Sequence, residues 1–275
     1  LAASAGPGAA PAPQRAAVAS ASSFTLGGAK CSLIPVPAPG AAKEGTTPVG
    51  VGKCPGVRPG AEVQTEVGLC TLNFLFETPD RERYIGTAGH CILGGATPVA
   101  DNAGEKTWPK GGGPVAKDSA GHRIGEFAYA ILQDPKDFSL IRLDPGVEAS
   151  PEMCDFGGPT GINDDISGDP KVLEYWGNGV GIGSTVPARS AVAVGFPNAD
   201  HVYAAGLALP GDSGSGVISD DGRAVGVLVT TGVHGFGFDQ NGVDFGTMGI
   251  TRLGPQMAQA SKVLGTSLSL VTTKK

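Results

Sequence analysis

Turn-forming residues interrupt this sequence at short intervals, and that feature most restricts the folds open to the chain. Its 275 residues include 45 glycines and 22 prolines, and only 17% are charged. Frequent breaks of this kind favour many short strands joined by turns and disfavour a helix bundle. The length is sufficient for one large domain or two small ones around a hydrophobic core.

Apolar residues that recur at every second position predict about twelve short strands after residue 67. On the first predicted strand, 69–76, one face carries Cys70, Leu72, Phe74 and Phe76. The sequence Asp220-Asp221-Gly222 between two apolar runs is typical of a hairpin. Helical periodicity is convincing only over 256–264, with Pro255 at its start. The predicted fold class is therefore all-β with a C-terminal helix.

The N-terminal part differs in composition from the rest. Residues 1–62 are rich in proline, alanine and glycine and are predicted to form an arm or linker. Within it, 1–23 are expected to be disordered and 24–62 to form an extended arm held by a disulfide. The first five residues are compatible with two origins, the end of a secretory signal or an alanine-rich tail. Residues 145–170 are rich in proline, glycine and aspartate and are typical of an interdomain connection.

Charge and cysteine content disfavour several classes of protein. The net charge of −6 disfavours nucleic acid as a partner, and no run of 18 apolar residues predicts a membrane span. The five cysteines lack the spacing of zinc ligands, so we expect disulfides in an oxidising compartment and no metal or other cofactor. Because the number is odd, at least one thiol is left free or bonds to another molecule.

The strongest candidate for chemistry is Ser213 in the segment Gly211-Asp212-Ser213-Gly214. A serine hydroxyl is a weak nucleophile and needs a neighbouring base and donors for the oxyanion that it creates. On its own, the segment is equally compatible with a glycine-rich β-turn. His90, directly after a predicted strand, and Asp137, at the start of another, are the residues that can supply a base and its partner.

Three motifs now occur in the order histidine, aspartate, serine. Thr87-Ala88-Gly89-His90-Cys91, Asp137-Phe138-Ser139-Leu140-Ile141 and Gly211–Gly214 resemble the three active-site motifs of the trypsin-like (chymotrypsin-fold) serine proteases. The resemblance covers residues 65–265 and indicates a bacterial-type secreted member. It implies two antiparallel six-stranded β-barrels, 63–150 with the histidine and aspartate, and 151–275 with the serine and the C-terminal helix.

The resemblance also implies a role for each residue. Ser213 is the nucleophile, His90 the general base and acid, and Asp137 the group that orients the imidazole. The N–H groups of Gly211 and Ser213 form the oxyanion hole. Asp212 anchors the turn, although the sequence lacks the Ile-Val-Gly-Gly segment whose amine does this in many animal members. Ser215 leaves open which serine reacts, and we assign Ser213 because it alone follows Gly-Asp.

Substrate preference rests on fewer residues. Leu207 stands six residues before the nucleophile, a position that in this family lies at the base of the specificity pocket. Because it is not acidic, we expect an apolar or small residue before the cleaved bond. Val229 and Thr230 are expected in the pocket wall, with a register that is ambiguous by one residue.

Disulfide pairing also follows from the resemblance. Cys70–Cys91 resembles the family's bond that holds the histidine loop. Cys31–Cys54 is then the simplest second pair, with Cys154 left over, while Cys31–Cys154 and Cys54–Cys154 stay open.

The function predicted is that of a secreted, monomeric serine endopeptidase that hydrolyses polypeptide substrates through an acyl-enzyme. Two alternatives remain at this point. One is a catalytically silent binding module with a protease fold, and the other is an esterase that uses the same three residues. The glycine-rich segment Gly177–Gly183 is predicted to be a loop, because it does not match a phosphate-binding motif and no helix follows it.

Overall fold

The computed structural model describes the backbone of residues 22–26 and 29–33. It also describes residues 56–94, 104–165, 167, 171–180, 186–194, 197–231 and 247–275. The disorder predicted for residues 1–21 lies outside this part, and so do residues 232–246, whose glycine-rich sequence predicts a loop.

Two strands near the N-terminus form a hairpin in a compact unit of its own, Leu1–Pro35. Strand β1 covers Ser22–Leu26 and pairs antiparallel with β2, which covers Ala29–Leu33. A strand therefore begins where disorder was predicted for residues 22 and 23, because backbone pairing stabilises a segment whose side-chain composition gave no strand signal. The boundaries proposed for the arm, 1–62, stay a prediction.

The first barrel is a curved sheet of nine strands within the unit Val36–Lys275. Its order is β17-β5-β6-β10-β9-β8-β3-β4, with β7 also paired to β9, and every neighbouring pair is antiparallel. Its strands are β3 (Glu62–Gln64), β4 (Leu69–Thr71), β5 (Leu75–Glu77), β6 (Arg83–Thr87), β7 (Gly104–Thr107), β8 (Val115–Lys117), β9 (Arg123–Gln133), β10 (Lys136–Leu143) and β17 (Ser269–Leu270).

The second barrel is closed by six antiparallel strands in the order β11-β12-β13-β16-β15-β14. Its interior holds ten buried apolar residues, among them Leu173, Tyr175, Val217, Leu228 and Ile250. The strands are β11 (Val172–Trp176), β12 (Ala188–Val194), β13 (His201–Ala205), β14 (Gly216–Ser219), β15 (Ala224–Thr231) and β16 (Thr247–Arg252).

Two helices complete the described elements. Helix α1 is a single turn over His90–Leu93, and α2 covers Leu253–Leu264, three residues longer at its start than predicted. It ends at Gly265, whose left-handed backbone is one that glycine adopts without steric cost. The predicted two-barrel fold with a C-terminal helix is confirmed, and the second barrel has the predicted six strands, whereas the first is a nine-stranded half-barrel sheet. No helix in the described residues has the length and apolar character needed to cross a membrane.

The chain from β4 into β5 lies between the two barrels. As predicted, Cys70, Leu72, Phe74 and Phe76 are buried, but the alternate residues Thr71 and Asn73 are also fully buried. The second face is covered because Thr71 hydrogen-bonds the segment around Ser213 and Phe74 packs against Gly216. A segment whose sequence predicts a strand with one solvent-exposed face therefore forms part of the interface between the two barrels.

The residues after α2 also join the two barrels. The N–H of Val271 donates to Leu75 O at the edge of the first barrel, over 2.9 Å. Thr273 N donates to Pro159 O, and Lys275 Nζ lies 2.9 Å from Glu174 Oε2 of the second barrel. No periodic pattern in the sequence predicts this connection, because its hydrogen bonds use backbone groups of segments that are distant in the chain.

Removing the Cys70–Cys91 disulfide is expected to lower the free energy of unfolding by about 3 kcal/mol in the chain-entropy account. The bond closes a loop with a sequence separation of 21 and ties β4 to α1. Urea unfolding of Cys70→Ala/Cys91→Ala beside the wild type measures the difference. An unchanged unfolding midpoint would show that the histidine loop is held by other contacts.

Candidate active site

His90 and Asp137 meet because of how β6 and β10 pair. The strands are antiparallel with Ser139 opposite Thr87, so the start of β10 lies beside the end of β6. Asp137 Oδ2 is 2.7 Å from His90 Nδ1, and Asp137 Oδ1 accepts the backbone N–H of His90 at 2.9 Å. One carboxylate thus fixes both the ring and the backbone of the histidine.

The protonation of His90 follows from these contacts. Burial by itself lowers the pKa of the imidazole, but the charge of Asp137 and its hydrogen bond outweigh that effect. The pKa of His90 is consequently raised above its ordinary value of 6.5. The side chain is 29% exposed, so the ring remains accessible to solvent.

Ser213 is held on a turn that docks against the strand end before His90. Gly211 and Gly214 have φ values of 102° and 90°, a backbone region that favours glycine. Thr71 N donates to Ser213 O and Thr71 Oγ1 to Gly211 O, each at 2.8 Å. A Cβ at Gly214 would overlap Thr87 Oγ1, so glycine allows the turn to approach the histidine strand.

The two serines of the turn have different surroundings. Ser215 is fully buried and its hydroxyl donates to Asp212 O at 2.7 Å. Ser213 is half-buried, and its hydroxyl makes no hydrogen bond to any described residue, including His90. The Ser213 carbonyl lies 3.9 Å from Cys91 Sγ, in the residue next to His90. The hydroxyl available for reaction is therefore that of Ser213.

The backbone N–H groups of the turn fall into two sets. Those of Asp212, Gly214 and Ser215 donate to Leu209 O, Leu228 O and Asp212 O respectively. The N–H groups of Gly211 and Ser213 donate to no acceptor within the described segments. Unpaired donors on a fixed turn are the arrangement that an incoming oxyanion requires.

A buried ion pair beneath the turn is the feature that sequence reasoning missed. Asp212 is fully buried, and both of its carboxylate oxygens pair with the guanidinium of Arg189. Arg189 lies on β12, is 5.0 Å from the ring centre of Tyr175, and donates to Leu207 O at 3.0 Å. The one signal in the sequence was an arginine within an apolar strand. A buried arginine requires an acidic partner, but the sequence does not show which residue that is.

The glycine-rich loop encloses the same carboxylate. Gly179 N donates to Asp212 Oδ1 at 2.7 Å, and a Cβ at Gly179 would lie 2.7 Å from Asp212 Oδ2. The Asn178 side chain donates to Gly60 O and the loop N–H of Asn178 donates to Thr71 Oγ1. For the residues described, 177–180, the predicted loop is confirmed, and its glycines leave room for the buried charge.

The proposed specificity residues lie near the turn but are only partly enclosed. Leu207 is 55% exposed, while its carbonyl accepts from Arg189 and from the Tyr175 hydroxyl. Val229 is half-buried on β15, the strand that bonds the turn through Leu228, and Thr230 follows it there. Their role in substrate choice stays a prediction.

The cysteines confirm one pairing and correct another. Cys70 and Cys91 form a disulfide, as predicted. Cys154 is 2% exposed and is also disulfide-bonded, with a partner outside the residues whose side chains are described. The prediction of a Cys31–Cys54 pair with Cys154 left over is therefore wrong, because the buried Cys154 is itself disulfide-bonded. The alternatives that pair Cys154 with Cys31 or Cys54 stay open.

A metal has no adequate set of ligands at this site. Donor atoms of Cys70, His90 and Cys91 lie within 4.8 Å of one another, the one such cluster among the described residues. Because the two sulfurs are bonded to each other, only the imidazole retains a donor.

The fold is that of the chymotrypsin-like serine proteases, with two β-barrels and a histidine and aspartate at the ends of paired strands. Thermobifida fusca protease A is 17% identical with a TM-score of 0.50, over 79% of this chain and 99% of that one. Nocardiopsis protease (NAPase) is 18% identical with a TM-score of 0.51, over 78% and 98%. Neither a protein-family model nor a curated protein matches the sequence.

Proposed function

We propose that the protein is a secreted, monomeric serine endopeptidase in which Ser213, His90 and Asp137 act together. The observation that carries this proposal is the pairing of a doubly bonded His90–Asp137 unit with a nearby turn whose Gly211 and Ser213 N–H groups have no described acceptor. The buried Cys70–Cys91 disulfide supports an oxidising compartment.

The proposed reaction proceeds through an acyl-enzyme. Asp137 keeps the proton of His90 on Nδ1, so the lone pair of Nε2 takes the proton of Ser213 as Oγ attacks the substrate carbonyl carbon. The carbonyl electron pair moves onto oxygen, where the N–H groups of Gly211 and Ser213 stabilise the charge. When that pair returns, the C–N bond breaks and the leaving amine takes the proton from His90. Water then attacks the acyl carbonyl carbon while Nε2 of His90 takes its proton. The bond between that carbon and Ser213 Oγ breaks, Oγ takes the proton from His90, and the carboxylic acid is released.

The proposed preference is for an apolar or small side chain before the cleaved bond. It is supported by Leu207, which brings no charge to the position that the family uses at the base of the pocket. A basic substrate side chain would lose its hydration there without gaining a carboxylate partner. A peptide-library cleavage profile measures the preference directly.

A peptidyl phosphonate ester is expected to form one covalent adduct on Ser213, detected by mass spectrometry of the peptide that contains it. Ser215→Ala is the matched control and should still be labelled, although loss of its buried hydrogen bond slows the rate. Ser213→Ala should not be labelled. An unlabelled wild type that binds peptides tightly would instead favour a silent binding module.

Matched amide and ester substrates separate the peptidase from an esterase, and their pH dependence tests His90. The base must be neutral, so kcat/KM is expected to fall with decreasing pH through a single ionisation above 6.5, since Asp137 raises the pKa of His90. A pH–rate profile of the amide reaction measures this. An acid limb with its midpoint below 6.5 would contradict the assigned pair.

A further inference from the structure

A charged cleft lies at the end of the first barrel, away from the candidate active site. It has a volume of about 390 Å³. On β10, Asp137 stands at one end and Arg142 near the other, five residues or about 17 Å away. On β6 the cleft borders Arg83, whereas the other end leads to His90. The cleft and the His–Asp pair are therefore at opposite ends of the same two strands.

Positive charge predominates in this cleft. Its lining includes three acidic side chains, Glu82, Glu126 and Asp144, and five basic ones, Arg81, Arg83, Lys110, Arg123 and Arg142. The excess of two positive charges stands out in a chain with a net charge of −6.

Each carboxylate in the cleft already accepts two hydrogen bonds, at least one of them from a cation. Asp144 accepts two guanidinium bonds from Arg123, at 2.6 and 3.1 Å. Glu82 accepts from Lys110 and from the Tyr84 hydroxyl, each at 2.9 Å. Glu126 pairs with Arg142 at 3.1 Å and accepts the N–H of Gly111. The acidic groups are thus committed to their partners.

Three arginines of the cleft have unused hydrogen-bonding capacity. Arg81 is 86% exposed, and its nearest carboxylate is Glu77 at 3.9 Å, beyond hydrogen-bond range. Arg83 donates to a neutral carbonyl, Val147 O, at 3.3 Å. Arg142 is bonded to Glu126 through Nη1, but its Nε is buried without a hydrogen-bond partner and lies 3.8 Å from Glu82 Oε2. A buried donor left unpaired is unfavourable, so a ligand oxygen that reached it would be stabilised.

We propose that this cleft binds a small, multiply charged oxyanion through Arg81, Arg83 and Arg142. Planar guanidinium groups bind carboxylate and phosphate oxygens in pairs, and two unbalanced positive charges match a dianion. The volume is that of a site for a small molecule. The site does not depend on the proposed peptidase activity, because it uses none of the residues of the triad or the nucleophile turn.

Calorimetric titration with inorganic phosphate and with citrate, at ionic strength held constant with chloride, tests the proposal. We expect saturable one-to-one binding of at least one of the two anions. The anion that binds more tightly shows whether the site prefers phosphate or carboxylate oxygens. Arg83→Gln and the exposed Arg81→Gln should each weaken binding at least tenfold. Lys117→Gln, which removes an exposed charge of the same barrel outside the cleft, should change it less than twofold.

Two further measurements complete the test. Ser213→Ala should bind the anion as the wild type does. Anion binding is therefore measured independently of peptidase activity, and a failure of one proposal does not affect the test of the other. Circular dichroism establishes that the arginine variants are folded. The proposal is overturned if neither anion binds saturably, if folded Arg81→Gln and Arg83→Gln bind normally, or if Lys117→Gln weakens binding as much as they do.

Discussion

Replacing Asp137 with asparagine is expected to lower kcat for peptide hydrolysis by about 10⁴-fold, the size of effect seen when a triad loses its carboxylate. The carboxylate of Asp137 accepts hydrogen bonds from both the ring Nδ1–H and the backbone N–H of His90. An asparagine amide can donate to Nδ1, which moves the ring proton to Nε2 and removes the lone pair that we propose takes the Ser213 proton. Steady-state rates on a peptide anilide measure the loss.

The acid limb of the same variant provides a second readout. Without the charge of Asp137, burial is the dominant influence on His90, so the pKa that the carboxylate raises should fall. Asp134→Asn is the matched control, because this carboxylate is exposed and lies three residues earlier in the hairpin turn. It should leave both rate and profile unchanged. Equal losses in the two variants would count against Asp137 as the partner of His90.

Replacing Arg189 with methionine is expected to cost about 3–5 kcal/mol of unfolding free energy, because it leaves the buried carboxylate of Asp212 without its cation. The same carboxylate accepts the N–H of Leu209, just before the Ser213 turn, and the N–H of Gly179 in the glycine-rich loop. Loss of the ion pair should therefore also disturb Gly211 and Ser213. Urea unfolding gives the stability, and the rate of phosphonate labelling at Ser213 reports on the turn.

Two variants make this result interpretable. Arg223→Met removes an ion pair with Asp221 whose side chains are 42% and 49% exposed, and should cost less than about 1 kcal/mol. Arg189→Met/Asp212→Asn removes the uncompensated charge and should recover part of the stability lost by Arg189→Met. If Arg189→Met were as stable as Arg223→Met and labelled at the wild-type rate, the ion pair would not be what holds the turn.

Short local motifs indicated the groups of the proposed chemistry. His90 follows the end of β6, and Asp137 is the second residue of β10, beside the strand ends where the motifs place them. The Cys70–Cys91 bond and the C-terminal helix were predictable for similar reasons, since a recognisable motif or a continuous periodicity defines each. Burial of Thr71 and Asn73 was not, because it depends on the second barrel.

The sequence by itself determined the all-β class, the helix after β16, and the three motifs that contain His90, Asp137 and Ser213. Only the tertiary structure decided that the Ser215 hydroxyl is buried and hydrogen-bonded, that Arg189 neutralises Asp212, and that Cys154 is bonded. The anion cleft also arises only when the ends of β6, β9 and β10 come together. The physical reason is common to all of these: each depends on contacts between segments distant in the chain, whereas propensity and periodicity describe only neighbours.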